Sequence, residues 1–331
     1  MTYSFRMLGA VVSTLVLAGP GVAQNLTLAT GATGGSYYPI GVQISTIVTE
    51  EMAEDGLRIS PISTGGSAEN VDLIDTGEAE MAILMGLYGR DGYMGTGVRE
   101  GRPKVEKLRS IASLWQNVEQ FVVRKSKIKS GDMSDMSAFG SQFVIGPRNS
   151  GTEGASRLLL NANGINPDEA FSVLHMKYDV AAEAFQNGRV DGMYASSGVP
   201  TPSIAQAYVT SGEDVSHLNI TDEQMAKVNA IAGDMFTRFT IPAGTYQGQT
   251  EPIQTIKEPN LLAVSADVPE ETVYQITRLI FANLERLHQS SSVAKEIQLE
   301  TALDGLPVPL HPGAIRFYEE RGIAIPDRLR P

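Results

Sequence analysis

A nine-residue pattern occurs twice in this chain and constrains its fold more than any other feature. Leu73-Ile-Asp-Thr-Gly-Glu-Ala-Glu-Met81 and Ala184-Phe-Gln-Asn-Gly-Arg-Val-Asp-Gly192 each end a helical stretch on a glycine. Each then carries an acidic residue three positions after that glycine, where an apolar run begins. Glycine suits the left-handed residue after a helix C-terminus, so both patterns read as a helix returning its chain to a strand. The surroundings agree. Leu26–Thr30 alternates like a strand, and Ile40, Ile44, Ile47, Val48 and Met52 fall at helical spacing. Arg58–Ile62 reads as a second strand, a helix runs through Val71 and Ile74, and Glu80–Leu84 reads as a third strand. Downstream the order repeats: strand Gln142–Ile145, a helix ending at Gly164, strand Ser172–Met176, a helix from Asp179 to Gly188 and strand Val190–Tyr194. Two βαβαβ units imply parallel sheets and an α/β fold with two lobes of similar topology.

The connections suggest how the lobes join. Ile111–Val123 is a long strand-like stretch, and Leu261–Ser265 is another apolar strand well after the second unit. Two crossing strands make a hinge, with residues 24–117 and 263–331 in the first lobe and 118–262 in the second. Pro269–Leu287 is predicted as one amphipathic helix, with Val273, Ile276, Ile280, Leu284 and Leu287 on one face. Residues 195–198 read as a polar turn after the last strand, and the segment from Gly305 onward is expected to return to the first lobe.

Export is expected from the N-terminus. Arg6 precedes an apolar run over residues 7–18, Gly19-Pro20 breaks it, and Gly21-Val22-Ala23 offers small residues at a cleavage site. These are the marks of a secretory signal peptide over residues 1–23, cut after Ala23, and of a periplasmic product. The run is shorter than the roughly 20 apolar residues a membrane span needs. Cysteine is absent, which excludes disulfides and thiol chemistry. The net charge of −12 argues against nucleic acid and anionic membrane as partners. A monomer without cofactor is expected.

Three turns carry the chemistry: Gly34-Gly-Ser36, Thr64-Gly-Gly-Ser67 and Asn149-Ser-Gly-Thr152. Each lies between a predicted strand and a predicted helix, where the first N–H groups lack intrahelical partners and the helix dipole is positive. Such a turn binds an anion without Arg or Lys, and all three stand at the carboxyl ends of strands. The plainer alternative is capping, in which Ser or Thr only satisfies its own helix. The ligand-binding candidates are Gly35, Ser36 and Tyr37 at the first turn, Thr64, Gly66 and Ser67 at the second, and Ser150, Gly151 and Thr152 at the third. Trp115 packs either on the ligand or in the core. Tyr194, Ser196 and Gly198 are candidates at the end of the last strand, and Tyr246 closes the cleft or anchors a loop. No catalytic signature of the G-x-S-x-G, H-E-x-x-H or P-loop type is present, and His175, His217, His288 and His311 are too scattered to suggest a metal site.

Several segments, in order, resemble the TAXI family of TRAP-associated extracytoplasmic solute receptors. They are Gly35-Ser-Tyr-Tyr-Pro-Ile-Gly41, Thr64-Gly-Gly-Ser-Ala-Glu-Asn70, Gly77-Glu-Ala-Glu-Met-Ala-Ile83, Gly146–Gly154, Ile241-Pro-Ala-Gly-Thr-Tyr246 and Gly305-Leu-Pro-Val-Pro-Leu-His-Pro-Gly313. The resemblance implies a type II periplasmic-binding-protein fold, two α/β lobes joined by a two-strand hinge. It also implies delivery of a carboxylate, such as a 2-oxoacid, dicarboxylate or glutamate-like compound, to TRAP transporter membrane subunits. It adds Asn70 and Met85 to the ligand-binding candidates. Two departures stand out: Met85 and Leu87 replace polar and acidic residues common in the family, and Gly198-Val-Pro200 replaces Gly-His-Pro. The departures imply a more apolar pocket that favours small organic anions without an ammonium. A sensory ligand-binding module and a periplasmic enzyme on a similar fold are the alternatives.

Overall fold

The computed structural model describes residues 24–33 and 35–331. The expected signal peptide and Gly34 lie outside the described residues. The first unit comprises β1 (Gln24–Ala29), α1 (Tyr37–Met52), β2 (Leu57–Ile62), α2 (Ser67–Thr76) and β3 (Met81–Met85). β1 pairs in parallel with both β2 and β3. Ile40, Ile44, Ile47 and Val48 form the fully buried stripe of α1. α2 stops at Gly77, whose φ of 78° is the left-handed cap expected from the repeated pattern. All five residues of β3 are buried, because it is covered on both faces and paired on both edges.

Helix α3 (Gly86–Met94) follows β3 directly and was not anticipated. Gly86, Gly89 and Gly92 give it low helix propensity. Tertiary packing explains the glycines: a Cβ on Gly92 would stand 2.9 Å from Val71, and one on Gly89 3.1 Å from Leu261. The chain then enters β4 (Leu108–Arg124), a strand of 17 residues.

The second unit comprises β5 (Gln142–Val144), α4 (Gly151–Ala162), α5 (Pro167–Ala170), β6 (Ser172–Leu174), α6 (Tyr178–Gln186) and β7 (Gly192–Ser197). Its central strand β5 pairs in parallel with β6 and β7, as β1 pairs with β2 and β3. The turn expected at 195–198 is corrected here: β7 runs to Ser197, and Ser196 and Ser197 pair with Glu119 and Val118 of β4. After α7 (Pro202–Ser211) come β8 (Val215–Leu218), α8 (Asp222–Ala232), β9 (Thr237–Ile241) and β10 (Ile253–Ser265). The amphipathic stretch is two helices, α9 (Glu270–Ala282) and α10 (Leu284–His288), separated at Asn283. α11 (Pro312–Glu320) ends the series of α-helices.

The strand order β2-β1-β3-β10-β4-β7-β5-β6 places the two units on either side of an antiparallel pair. β4 pairs with β10 from Leu108 opposite Ser265 to Val118 opposite Lys257. The far end of β4 pairs with β7 and β8, and the far end of β10 pairs with β9. Both strands therefore cross between the halves of the molecule. The C-terminal segment lies against the start of β4, where the Ser110 N–H donates to Pro309 O, Ser110 O accepts from the His311 N–H and the Tyr318 hydroxyl donates to Ile111 O at 3.0 Å. Among the described residues no helix is long and apolar enough to cross a membrane.

Candidate functional site: a cleft between the two halves

The parallel strands β1, β2 and β5 all run toward one line between the halves, and a helix starts at the end of each. The cleft there holds about 620 Å³, mouth included. Helix N-termini carry unpaired N–H groups and partial positive charge, so three of them facing one space favour an anion. The helices are not equally free. Ser36 before α1 and Gly66 before α2 make no side-chain cap. Ser150 does cap α4: its Oγ accepts from the Glu153 N–H at 3.1 Å and donates to Pro147 O at 2.6 Å.

Ten of the fifteen candidates stand on the wall of this cleft. Gly35, Ser36 and Tyr37 come from the first turn, Gly66 and Ser67 from the second, and Met85 from the end of β3. Ser150, Gly151, Thr152 and Ser196 come from the other half. The polar ones are wired together. Ser67 Oγ accepts from the Met85 N–H at 3.0 Å and lies 3.4 Å from the Tyr37 hydroxyl. Tyr37 donates to Asn260 Oδ1 at 2.5 Å. Across the cleft, Tyr178 donates to Ser196 O at 2.9 Å, which leaves Thr152 as donor to the Tyr178 oxygen at 2.7 Å. Burial raises the Tyr178 hydroxyl to about 12 and pushes Tyr37 higher still, so both stay neutral.

The other five candidates are not on the wall. Thr64 and Asn70 brace the turns: Thr64 Oγ1 accepts from the Gly66 N–H, and Asn70 Nδ2 donates to Thr30 O and Ile83 O at 2.7 and 2.9 Å. Trp115 is fully buried behind Tyr37, edge-on at 5.5 Å. Tyr194 is buried with its hydroxyl on Glu119. Gly198 packs against Val293 and Trp115. The significance given to Leu87 and Val199 is corrected by the same geometry. Leu87 is fully buried in the main apolar core, and Val199 packs against a smaller apolar cluster of the second half. Tyr246 is buried, bound to Gln120 and to the Thr201 N–H, and anchors a loop.

Sequence reasoning missed Gly31, Ala32, Gly65, Asn117, Pro147, Ser197 and the run Lys177-Tyr178-Asp179. The run had a signal: it opens α6 after β6, at the same kind of strand-to-helix joint as the other turns. Asn117 had none, since it reaches the cleft only through the crossing of β4. Lys177 and Asp179 are the only charged side chains on the wall among the described residues, and both are exposed.

The halves touch. A Cβ on Gly151 would come within 2.5 Å of Met85 Sδ and 3.0 Å of Ser67 Cβ. The Tyr88 hydroxyl donates to Ser150 O at 3.5 Å. The geometry is that of a closed cleft.

Comparison with known proteins places the fold. The model of a family described as the NMT1-like family matches residues 28–322. MatC from Rhodopseudomonas palustris with bound malate is similar at a TM-score of 0.53 and 14% identity, over 90% of this chain and 96% of that one. A binding-protein component of an ABC phosphonate transporter from Pseudomonas aeruginosa is similar at 0.51 and 12% identity, over 84% and 80%. A Xanthomonas citri protein bound to ATP is similar at 0.51 and 10% identity, over 89% and 94%. At these identities the likeness is one of fold, the two-lobed α/β fold of periplasmic binding proteins.

Proposed function

The chain belongs to the NMT1-like family, and on that premise we propose that it is a periplasmic solute-binding protein that captures a small organic anion between its lobes and delivers it to the membrane subunits of a transporter. The observation that carries this reading is the convergence of the N-termini of α1 and α2 from one half and α4 from the other on one cleft. An anion held there takes donors from both halves, so binding it favours the closed arrangement. The resemblance of the turn segments to TAXI receptors supports a transporter of the TRAP type, and the leader expected over residues 1–23 supports the periplasmic compartment. The malate of MatC and the phosphonate of the Pseudomonas transporter are anions too, in keeping with such a site.

The wall also bears on the ligand. Its inner part offers hydroxyls, N–H groups, the Asn117 amide and Met85, and Asp179, the one carboxylate on it among the described residues, is exposed. A buried ammonium without an acceptor is costly. Carboxylates without an ammonium, such as 2-oxoacids, are therefore favoured over the matching amino acids. Native mass spectrometry of the purified chain tests the anion reading by identifying any small molecule that leaves with it. Thermal shift with 2-oxoglutarate against glutamate, and 4-methyl-2-oxopentanoate against leucine, tests the preference. A ligand at 100 times its dissociation constant stabilises by about 2.7 kcal/mol, enough to raise the melting temperature measurably. A shift with the amino acids alone overturns the preference. A co-purified neutral or cationic solute overturns the anion.

A further inference from the structure

Two carboxyl groups lie in the crossing strands, one layer behind the cleft wall. Glu119 on β4 is 1% exposed and Glu258 on β10 is 0% exposed. Glu258 stands opposite Asn117, two residues along β4 from Glu119. Glu119 accepts from Ser196 Oγ at 2.8 Å and from the Tyr194 hydroxyl. Glu258 Oε2 accepts from the Leu87 N–H at 2.7 Å, while its Oε1 has no partner.

Among the described residues no cation bonds to either carboxyl, and Arg99, which lies near Tyr88, is paired with Asp72. Tyr194 faces it from β7, Tyr178 from α6, Tyr37 from α1, and Tyr88 and Asp91 from α3. Lys257, the neighbour of Glu258, lies over the Phe239 ring at 5.5 Å, and Arg90 is paired with Asp91. Two ionised carboxylates in an interior without a counter-charge repel each other and lose their hydration, so the pair retains protons. The bare Oε1 of Glu258 is the natural place for the first. Burial pushes Glu258 well above the usual carboxylate range and brings Glu119 up to about 8.

We infer that Glu119 and Glu258 form a proton-binding site between the crossing strands, filled when the cleft is closed and emptied from Glu119 when the cleft opens. The wall that separates Glu119 from the cleft is thin: Ser196, whose hydroxyl donates to Glu119, and Tyr178, whose hydroxyl donates to Ser196 O, are themselves wall residues. Opening the cleft hydrates that wall and removes part of the burial that keeps Glu119 neutral. The closed form then binds the proton more tightly than the open form, and linkage makes the proton a co-ligand of closure whatever the solute is. Raising the pH through about 8 shifts the unliganded protein toward the open form.

The test uses the full chain without added solute, titrated from about pH 6 to about pH 10. Infrared spectroscopy reads the neutral carboxyl band, and small-angle scattering reads the radius of gyration. The band is expected to weaken and the radius to grow with one common midpoint no higher than about 8. Glu119→Gln is expected to remove that midpoint from both signals, and Glu258→Gln to remove the band that persists above it. A constant radius, or band and radius changing at separate pH values, overturns the site from the wild-type protein alone, even where a variant does not fold. A radius transition unchanged in a folded Glu119→Gln overturns it as well.

Discussion

Ser150 and Thr152 stand two residues apart at the mouth of one helix and do different things. Ser150 satisfies the Glu153 N–H, so Ser150→Ala is expected to cost about 1 kcal/mol of folding stability, read by urea unfolding. Thr152 donates to Tyr178 and faces the cleft, so Thr152→Ala is expected to leave unliganded stability almost unchanged. Its loss should appear in solute affinity, by about 1–3 kcal/mol. Equal losses of stability in both variants would contradict this division. The sequence shows only two hydroxyls before a helix, and the division between cap and wall comes from where β6 and α6 bring Tyr178. His217 is another residue whose state depends on its neighbours. It packs with Tyr208 and Tyr246 in a cluster of three rings, with Nδ1 2.7 Å from the Tyr208 hydroxyl, and burial lowers it to about 3. The unfolded chain takes up a proton near 6.5 and the folded chain does not. The contribution of His217 is therefore complete above 6.5 and is lost as pH falls toward 3. Melting temperatures at about pH 7 and about pH 5 should separate the wild type from His217→Gln, with the wild type losing more between them.

At the scale of elements, α1 and α2 were legible because their apolar spacing and glycine boundaries agree with their packing. α3 was not, because its glycines oppose helix formation locally and are required by the closeness of Val71 and Leu261. The single helix expected over 269–287 divides at Asn283, although the apolar spacing continues across the division. α4 carries a glycine of the same kind. Alanine at a helix-interior glycine ordinarily stabilises by roughly 0.5–1 kcal/mol. At Gly154 its Cβ would run into the Tyr88 hydroxyl of the opposite half. Gly154→Ala is therefore expected to hold the cleft open, enlarging the radius of gyration and reducing the thermal shift produced by solute. Tyr88→Phe in the same chain removes the obstructing oxygen and should restore part of both. Wild-type closure in Gly154→Ala would show that this contact does not limit the approach of the halves.

For the whole molecule, the repeated helix-to-strand pattern announced two α/β units of one topology, and β2-β1-β3 and β6-β5-β7 have that relation. The expected leader is read from the sequence alone, and intact mass of chain exported by a bacterial host is expected to show a start at Gln24. A retained N-terminus would remove the argument for the compartment. Local patterns determined the strands, the helices at their ends and the anion-favouring turns, because these depend on spacing, on glycine and on unpaired N–H groups within a few residues. Only the tertiary structure decided which turn residues face the cleft. It placed Thr64 and Asn70 as braces, put Leu87 and Trp115 in the core, and brought Asn117, Glu119 and Glu258 together from two distant strands. The last three depend on the register of β4 against β10 and β7, where a shift of one residue turns every side chain to the other face, and no short stretch of sequence carries that register.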